Sequence, residues 1–245
     1  MQIAQLWRYP FKSAQGFVAP SLDLVEGGVA GDRRWALIDP AGKLCSAKRY
    51  SKLLAATGAD DGTLTLDGGA VLDDDAAFSD WLGHAVTRHE RAPDTQVAYE
   101  MTFEPPNDGA EYYEIPAPPG RFVDLADVHV IASSTLAHLA AIRPDLDWDV
   151  RRFRPNVVID TGDAEPFVEA SWVGREIELG DGGARVRVDM ETVRCAMPLR
   201  EQPGGLERQA SMYEAMDTTH YNHVGAYCTV VSAGPIKSGD GVTLR

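Results

Sequence analysis

Cysteine is scarce in this 245-residue chain: Cys45, Cys195 and Cys228 are odd in number and far apart. No two stand at a C-x-x-C spacing, so a zinc ribbon, a thioredoxin-type redox pair and an iron–sulfur cluster all lack ligands. Long apolar runs are missing too. The opening MQIAQLWRYPFKS holds no segment fit for a signal peptide, and no later stretch reaches the length of a membrane span. A reducing cytoplasm, with no membrane partner, is the expected setting. Basic residues are outnumbered, 23 against 37 acidic, giving a net charge of −14. Phosphate backbones and anionic lipid surfaces would be repelled, so nucleic acid is not an expected partner. Walker and G-x-G-x-x-G loops are also absent, and a standard nucleotide is not indicated.

What is present is ordinary globular composition, 44% hydrophobic and 24% charged, in a chain long enough for one large domain or two small ones. The pattern predicts many short strands and about three helices. QIAQLWRY alternates, RWALIDPAGKLCSA reads as a hairpin around Pro40-Ala41-Gly42, and DGTLTLDGG as a short strand. DDAAFSDWLGH predicts a helix capped by Asp73 or Asp74, with Phe78, Trp81 and Leu82 on one face. The Pro- and Gly-rich segment Phe103 to Gly120 is read as a surface loop or, preferably, a crossing between subdomains. DVHVIASSTLAHLAAIRPD predicts a strand and then a helix capped by Ser133 or Ser134 and ended by Pro144. RRFRPNVVID and ARVRVDMETV read as strands, LERQASMYEAM as an amphipathic helix with Leu206, Ala210, Tyr213 and Met216 or Ala215 inward. GAYCTVVSAGPIKSGDGVTL closes with two strands. The expected class is α+β and β-rich, barrel-like rather than a βαβ sheet, with domains at 1–117 and 118–245.

Cys195 stands where a strand gives way to a loop rich in Gly and Pro, directly after Arg194. A cysteine is most often a small buried hydrophobe, and that reading fits Cys45 and Cys228 inside strand-like segments. A strand end beside a guanidinium favours exposure and the thiolate, the form that attacks or ligates. A nucleophilic cysteine would want a histidine, and His220 and His223 in THYNH are candidates for a hydrolase pair. Three basic groups also flank strands: Lys12 with Ser13, Arg33 with Arg34, and Arg151, Arg152 and Arg154. Each alone reads as a solvated surface charge. Together, with donors at Ser133-Ser134-Thr135, they would suit an oxyanion or phosphate. In a chain this acidic, a cationic pocket implies an anionic, non-nucleotide cofactor.

Taken in order, LWRYPFKSAQG, GVAGDRRWALIDPAGKLCSAKRY, RRFRPNVVID…EPFVEASWVGREIELG, VRCAMP and GAYCTVVSAGPIKSGD resemble the MOSC family, named for the C-terminal domain of molybdenum cofactor sulfurase. The similarity includes the β-rich N-terminal domain that often precedes it and covers nearly the whole chain. Among functional relatives, the resemblance points to the amidoxime-reducing components of mitochondria and their bacterial counterparts. The resemblance implies a MOSC β-barrel, an N-terminal β-rich subdomain and a molybdenum cofactor, Mo-molybdopterin. Its protein ligand would be Cys195, a soft thiolate suited to a metal already held by sulfur, with Arg194 beside it. Lys12, Ser13, Arg33, Arg154 and Asn156 would grip the pterin and its phosphate. Ser133 and Ser134 match a serine-containing segment loosely, Thr192 precedes the R-C element, and Tyr227 matches an aromatic lining the site. Pyridoxal phosphate is not expected.

Where relatives continue with D-P-x-T-G after the cysteine, this chain reads REQPGG, so the loop expected to shape substrate access differs. No cluster cysteines are present, so electrons are expected from a separate donor of ferredoxin or reductase type. The implied activity is reduction of N-hydroxylated compounds (hydroxylamines, amidoximes, N-hydroxylated bases), with His220, His223 or Tyr227 delivering a proton. Two other functions stay open: a non-enzymatic cofactor carrier or sulfur relay using Cys195, and a Cys–His hydrolase without molybdenum.

Overall fold

In the computed structural model, which describes residues 1–107 and 109–245, the first segment forms a strand, Gln2–Arg8. A bulge between Ile3 and Gln5 turns both Ile3 and Leu6 inward although three positions separate them. This strand lies next to the edge of an eight-stranded sheet. Its order is Val242–Leu244, Glu176–Leu179, Ala184–Val193, His223–Ser232, Val128–Ala132, Val157–Asp160, Gln2–Arg8 and Phe17–Ala19. Val128–Ala132 and Val157–Asp160 are parallel, and the chain between them carries helix α2, Ser133–Ile142, as a parallel pair requires a crossover. The sheet curls into a half-barrel. A three-stranded sheet, Gly234–Lys237, Ser21–Val25 and Gly28–Val29, adds Leu22, Leu24, Val29 and Ile236 to the same core as Ile3, Leu6, Val130, Val186 and Ala226. On the other face of the large sheet, α2 and helix α3, Ser211–His220, bury Leu139, Met212, Ala215 and Met216 against Trp7, Ile131, Val158 and Val224.

A second body holds a five-stranded sheet (Thr87–Glu90, Trp35–Ile38, Lys43–Leu44, Ala98–Met101, Tyr113–Pro116), a three-stranded one (Ala56–Gly58, Leu64–Leu66, Val71–Leu72) and helix α1, Asp75–Leu82. Their shared core includes Phe11, Leu37, Leu53, Leu64 and Phe78, and Met197 enters it from the loop after Cys195. The chain thus starts in the large barrel, leaves it for this body and returns. The Pro- and Gly-rich segment contributes the edge strand Tyr113–Pro116 before that return.

The architecture is α+β and β-rich, with three α-helices among the described residues. None of them is long and apolar enough to cross a membrane. The hairpin at Pro40-Ala41-Gly42 is held by the Asp39 carboxylate, which accepts from the Ala41 and Lys43 N–H groups at 2.9 Å. Asp74 caps α1 by accepting from Ala77 N–H at 2.8 Å, and Gly83, at φ 73°, ends it. Helix α2 differs from the expectation of a serine cap. The strand runs straight into the helix with Ala132 at the cap position, so no cap side chain is available there. The Thr161 hydroxyl serves instead, accepting from the Ser134 N–H at 3.2 Å, while the buried Glu169 braces the junction by accepting from Ala132 N–H at 2.7 Å and from the Thr135 hydroxyl at 2.6 Å. In α3 the buried face is Met212, Ala215 and Met216; Leu206 is also buried but in the preceding loop, where it bridges to Gln202. The C-terminal segment forms three strands rather than two.

Candidate functional site

Cys195 lies just past the end of Ala184–Val193 and is half-buried, whereas Cys45 and Cys228 are buried, at 1% and 0% exposure. Burial pushes the thiol of Cys45 up to about 12 and raises that of Cys228 further, so both are held as inert thiols. Cys195 opens into a cleft between the barrel and the second body. Lys12 and Ser13 reach it from the loop after the first strand, Arg33 from the turn before Trp35–Ile38, and Ser46 and Lys48 from the segment after Lys43–Leu44. The barrel supplies Asp124, His129, Arg154, Asn156, Arg194 and Tyr227.

Five cations line this cleft against one acidic side chain, in a molecule of net charge −14. Asp124 joins two of them: it pairs with the Lys12 ammonium, and its other oxygen lies 2.8 Å from Lys48 Nζ. Both ammonium groups sit over the Tyr99 ring, Lys48 at 4.0 Å and Lys12 at 5.5 Å from its centre. Burial alone would raise the Asp124 pKa, but the two lysines hold it well below the usual carboxylate range. Burial lowers Lys12 to about 8 despite Asp124. Burial also opposes charge on Lys48, but Asp124 and then the Cys195 sulfur outweigh it and its pKa is raised. Arg33 and Arg154 both stack on Tyr9, at 4.5 and 4.3 Å from the ring centre. Arg33 pairs with Asp32. Arg154 donates to the Ala14 carbonyl at 2.7 Å, and burial, then the charge of Arg33, lowers its pKa to about 10.

Backbone strain gathers here. Ser13, Arg33 and Arg154 have φ of 67°, 43° and 55°, so three of the six non-glycine residues with positive φ among the described residues line this one cleft. Such conformations persist only where the surroundings impose them, and they cluster at functional sites. In the wall, the Ser46 hydroxyl is buried without a hydrogen-bond partner. A buried donor left unmatched inside a cationic cleft fits an anionic ligand with acceptor oxygens. A thiol, two forked guanidiniums and an ammonium are also a donor set that fits a sulfur-ligated metal on a phosphorylated pterin.

Of the residues expected at a site, Lys12, Ser13, Arg33, Arg154, Asn156, Arg194, Cys195 and Tyr227 line the cleft. Ser133 and Ser134 do not. They bond to Asp160 and Thr161 past the C-terminal ends of the parallel strands, while His129 and Asn156 meet the cleft near the N-terminal ends. The four residues from His129 to Ser133 span about 13 Å of extended chain. Thr192 is fully buried with its hydroxyl unpartnered, also outside the lining. His223 is not among the lining residues; it lies edge-on to His220, which stacks on Phe167 and lies 2.6 Å from Glu191. Neither histidine of THYNH lines the cleft with Cys195; the histidine that does is His129. Burial, with Arg194 beside it, drives the His129 pKa well below the usual range, so its imidazole is neutral.

The Arg194 guanidinium is turned to the Phe153 carbonyl at 2.9 Å and to His129 Nε2 at 3.4 Å. Arg151 and Arg152 lie behind the cleft. Arg152, fully buried, donates to the carbonyls of Pro198, Arg200 and Glu207, and Arg151 donates to that of Pro203, so both fasten the loop after the cysteine. Of that loop, Met197 lines the cleft, while Arg200 to Pro203 face a separate depression with Lys52 and Arg208. Residues not singled out from sequence are Ser46, Lys48, Asp124 and His129. The strand-flanking position of Lys48 in LCSAKRY was the available signal; Asp124 sits in an irregular segment that carries none.

The MOSC domain family matches residues 119–243, and the MOSC N-terminal beta barrel domain family matches residues 1–87. A search of curated proteins finds no match. Among solved structures, the chain is similar to the YUAD protein from Bacillus subtilis, at 14% identity over 99% of this chain and 94% of that one, with a TM-score of 0.52. It also aligns with YiiM from Geobacillus stearothermophilus, at 14% identity over 63% of this chain and 74% of that one, TM-score 0.39. Likeness at such identity speaks to fold alone. MOSC domains are associated with molybdenum cofactor binding. Two consecutive family matches and a half-barrel that borders a cationic thiol cleft lead to one assignment: the chain belongs to the MOSC family, with its N-terminal beta barrel domain.

Proposed function

We propose that this protein is a molybdenum-cofactor-dependent oxidoreductase that reduces N-hydroxylated compounds with electrons from a separate donor protein in the cytoplasm. The supporting observation is the company of Cys195: the half-buried cysteine shares a cleft with Lys12, Arg33, Lys48, Arg154 and Arg194. Cys195 would ligate molybdenum, a soft donor for a metal held by dithiolene sulfurs. Arg33, Arg154 and Lys12 would hold the pterin phosphate, with Ser13, Ser46 and Asn156 as polar contacts. Once bound, the cofactor supplies the two electrons for N–O cleavage.

The chain's own residues do the rest. Burial raises the Tyr227 pKa, so its hydroxyl stays protonated at neutral pH and can donate at the cleft. The neutral His129 packs edge-on to the Tyr227 ring at 5.6 Å and fixes its orientation. At the mouth, Leu125 and Val193, 56% and 54% exposed, would cover the apolar part of a substrate.

Elemental analysis and pterin release from freshly purified protein, followed by benzamidoxime reduction with a chemical reductant, test the proposal. The expected result is near-stoichiometric molybdenum and turnover that Cys195→Ala abolishes. Full activity in that variant would sink it. Bound pterin without turnover would favour the carrier, and protein without molybdenum the hydrolase.

A further inference from the structure

We infer that Asn222 is a positioning residue for the Cys195 thiol, an inference that rests on Cys195 being the functional thiol. Regular pairing between Ala184–Val193 and His223–Ser232 ends at Val193 opposite His223, so the sheet ladder stops two residues short of the cysteine. Asn222 takes over where it stops. Its carbonyl accepts from Arg194 N–H at 2.9 Å, and its side-chain amide donates to the Arg194 carbonyl at 2.7 Å. That carbonyl belongs to the peptide bond that leads into Cys195. Both ends of the preceding residue are therefore gripped by one side chain and its backbone, and the Arg194 guanidinium is tied to Phe153 as well.

The grip is anchored in the core. Helix α3 is followed by two left-handed residues, Tyr221 at φ 49° and Asn222 at φ 59°. Their N–H groups close the helix onto the carbonyls of Asp217 and Met216, at 2.9 and 3.1 Å. Asparagine tolerates this backbone better than other residues with a β-carbon, and here it is only 4% exposed. Asn222 thus ties a helix end, held by the buried Met212, Ala215 and Met216, to the loop that carries the thiol. Its side-chain oxygen is buried without a partner, so the amide donor is the half of the group that the fold uses.

The test uses full-length chain purified without cofactor and follows iodoacetamide labelling of Cys195 at fixed pH. Cys45 and Cys228 are buried and label slowly, so Cys195 is the natural reporter. Asn222→Gly keeps the left-handed turn, and Asn222→Asp keeps the shape but removes the donor. Loss of one such hydrogen bond should raise the labelling rate roughly five-fold in both. Asp74→Ala, which uncaps α1, should lower the melting temperature and leave the labelling rate unchanged. A folded Gly or Asp variant that labels at the wild-type rate overturns the inference. If neither variant folds, hydrogen exchange of the Arg194 amide in the wild-type chain decides: protection upholds the bracket, and exchange as fast as in exposed loops overturns it. Loading of wild-type protein with molybdenum is measured in parallel. Metal-free wild type with Asn222-dependent labelling would remove the molybdenum reading and leave the positioning role standing.

Discussion

Asp124 shows how one residue lets a cluster of like charges survive half inside a protein. Lys12 and Lys48 both approach the Tyr99 ring and would repel one another without the carboxylate they share. Asp124→Asn leaves two buried ammonium groups without their counter-ion, at a cost of about 3 kcal/mol. The pH dependence has a definite sign. The folded pKa of Asp124 is depressed below the unfolded value of about 3.9, so its stabilisation is fully present above that pH and is lost as the pH falls toward the folded value. The melting-temperature gap between wild type and Asp124→Asn is therefore expected to be widest near neutrality and to narrow below about pH 4. A gap of constant width from pH 7 to pH 3 would count against the pairing. At this scale the sequence was legible where residue type and strand-end position coincide, as at Lys12, Arg33, Arg154 and Cys195. It was silent on orientation. Arg152 and Arg154 are two positions apart, yet a left-handed backbone at Arg154 sends one guanidinium into the cleft while the other goes behind it.

The loop after the cysteine is the element on which the cleft depends most. Leu199 and Met197 are buried at its start, and the buried Arg152 satisfies three of its carbonyls. Gln202 is joined to Gln15 at 3.0 Å, so the loop is also tied to the segment that carries Lys12 and Ser13. Arg152→Ala orphans those carbonyls, each costing on the order of 1–3 kcal/mol if no water replaces the donor. Limited proteolysis should then cut within residues 198–207, where the wild-type chain is expected to resist; an unchanged digestion pattern would show that the other contacts suffice. Elements were legible where a local signal existed: alternation, an Asp cap, a Gly stop. The start of α2 was not, because its cap comes from Thr161, more than twenty residues downstream.

At the scale of the molecule, the two family matches follow one another in sequence, but the sheets do not divide the same way. Gln2–Arg8 pairs with Val157–Asp160, and Ile3, Leu6, Leu22 and Leu24 sit in the barrel core. A fragment of residues 118–245 would lose those side chains and bare the edge of Val157–Asp160. It is expected to be aggregated or to lack cooperative melting by circular dichroism, while addition of the first 30 residues in trans should restore part of the structure. A cooperatively folded, monomeric fragment would show that the first strands are dispensable. Composition and pattern by themselves determined that the chain is β-rich and α+β, that nearly all its hydrophobic strands are short, and which cysteine stands at a strand end. They determined as well that any cationic cleft would be local in an acidic protein. Only the tertiary structure decided which cations converge, that Lys48, Asp124 and His129 join them, and that the serines before α2 and the histidines of THYNH do not. Local periodicity records which face of an element is buried. Convergence depends on strand register, a bulge and three left-handed turns, and these act between residues more than a hundred positions apart.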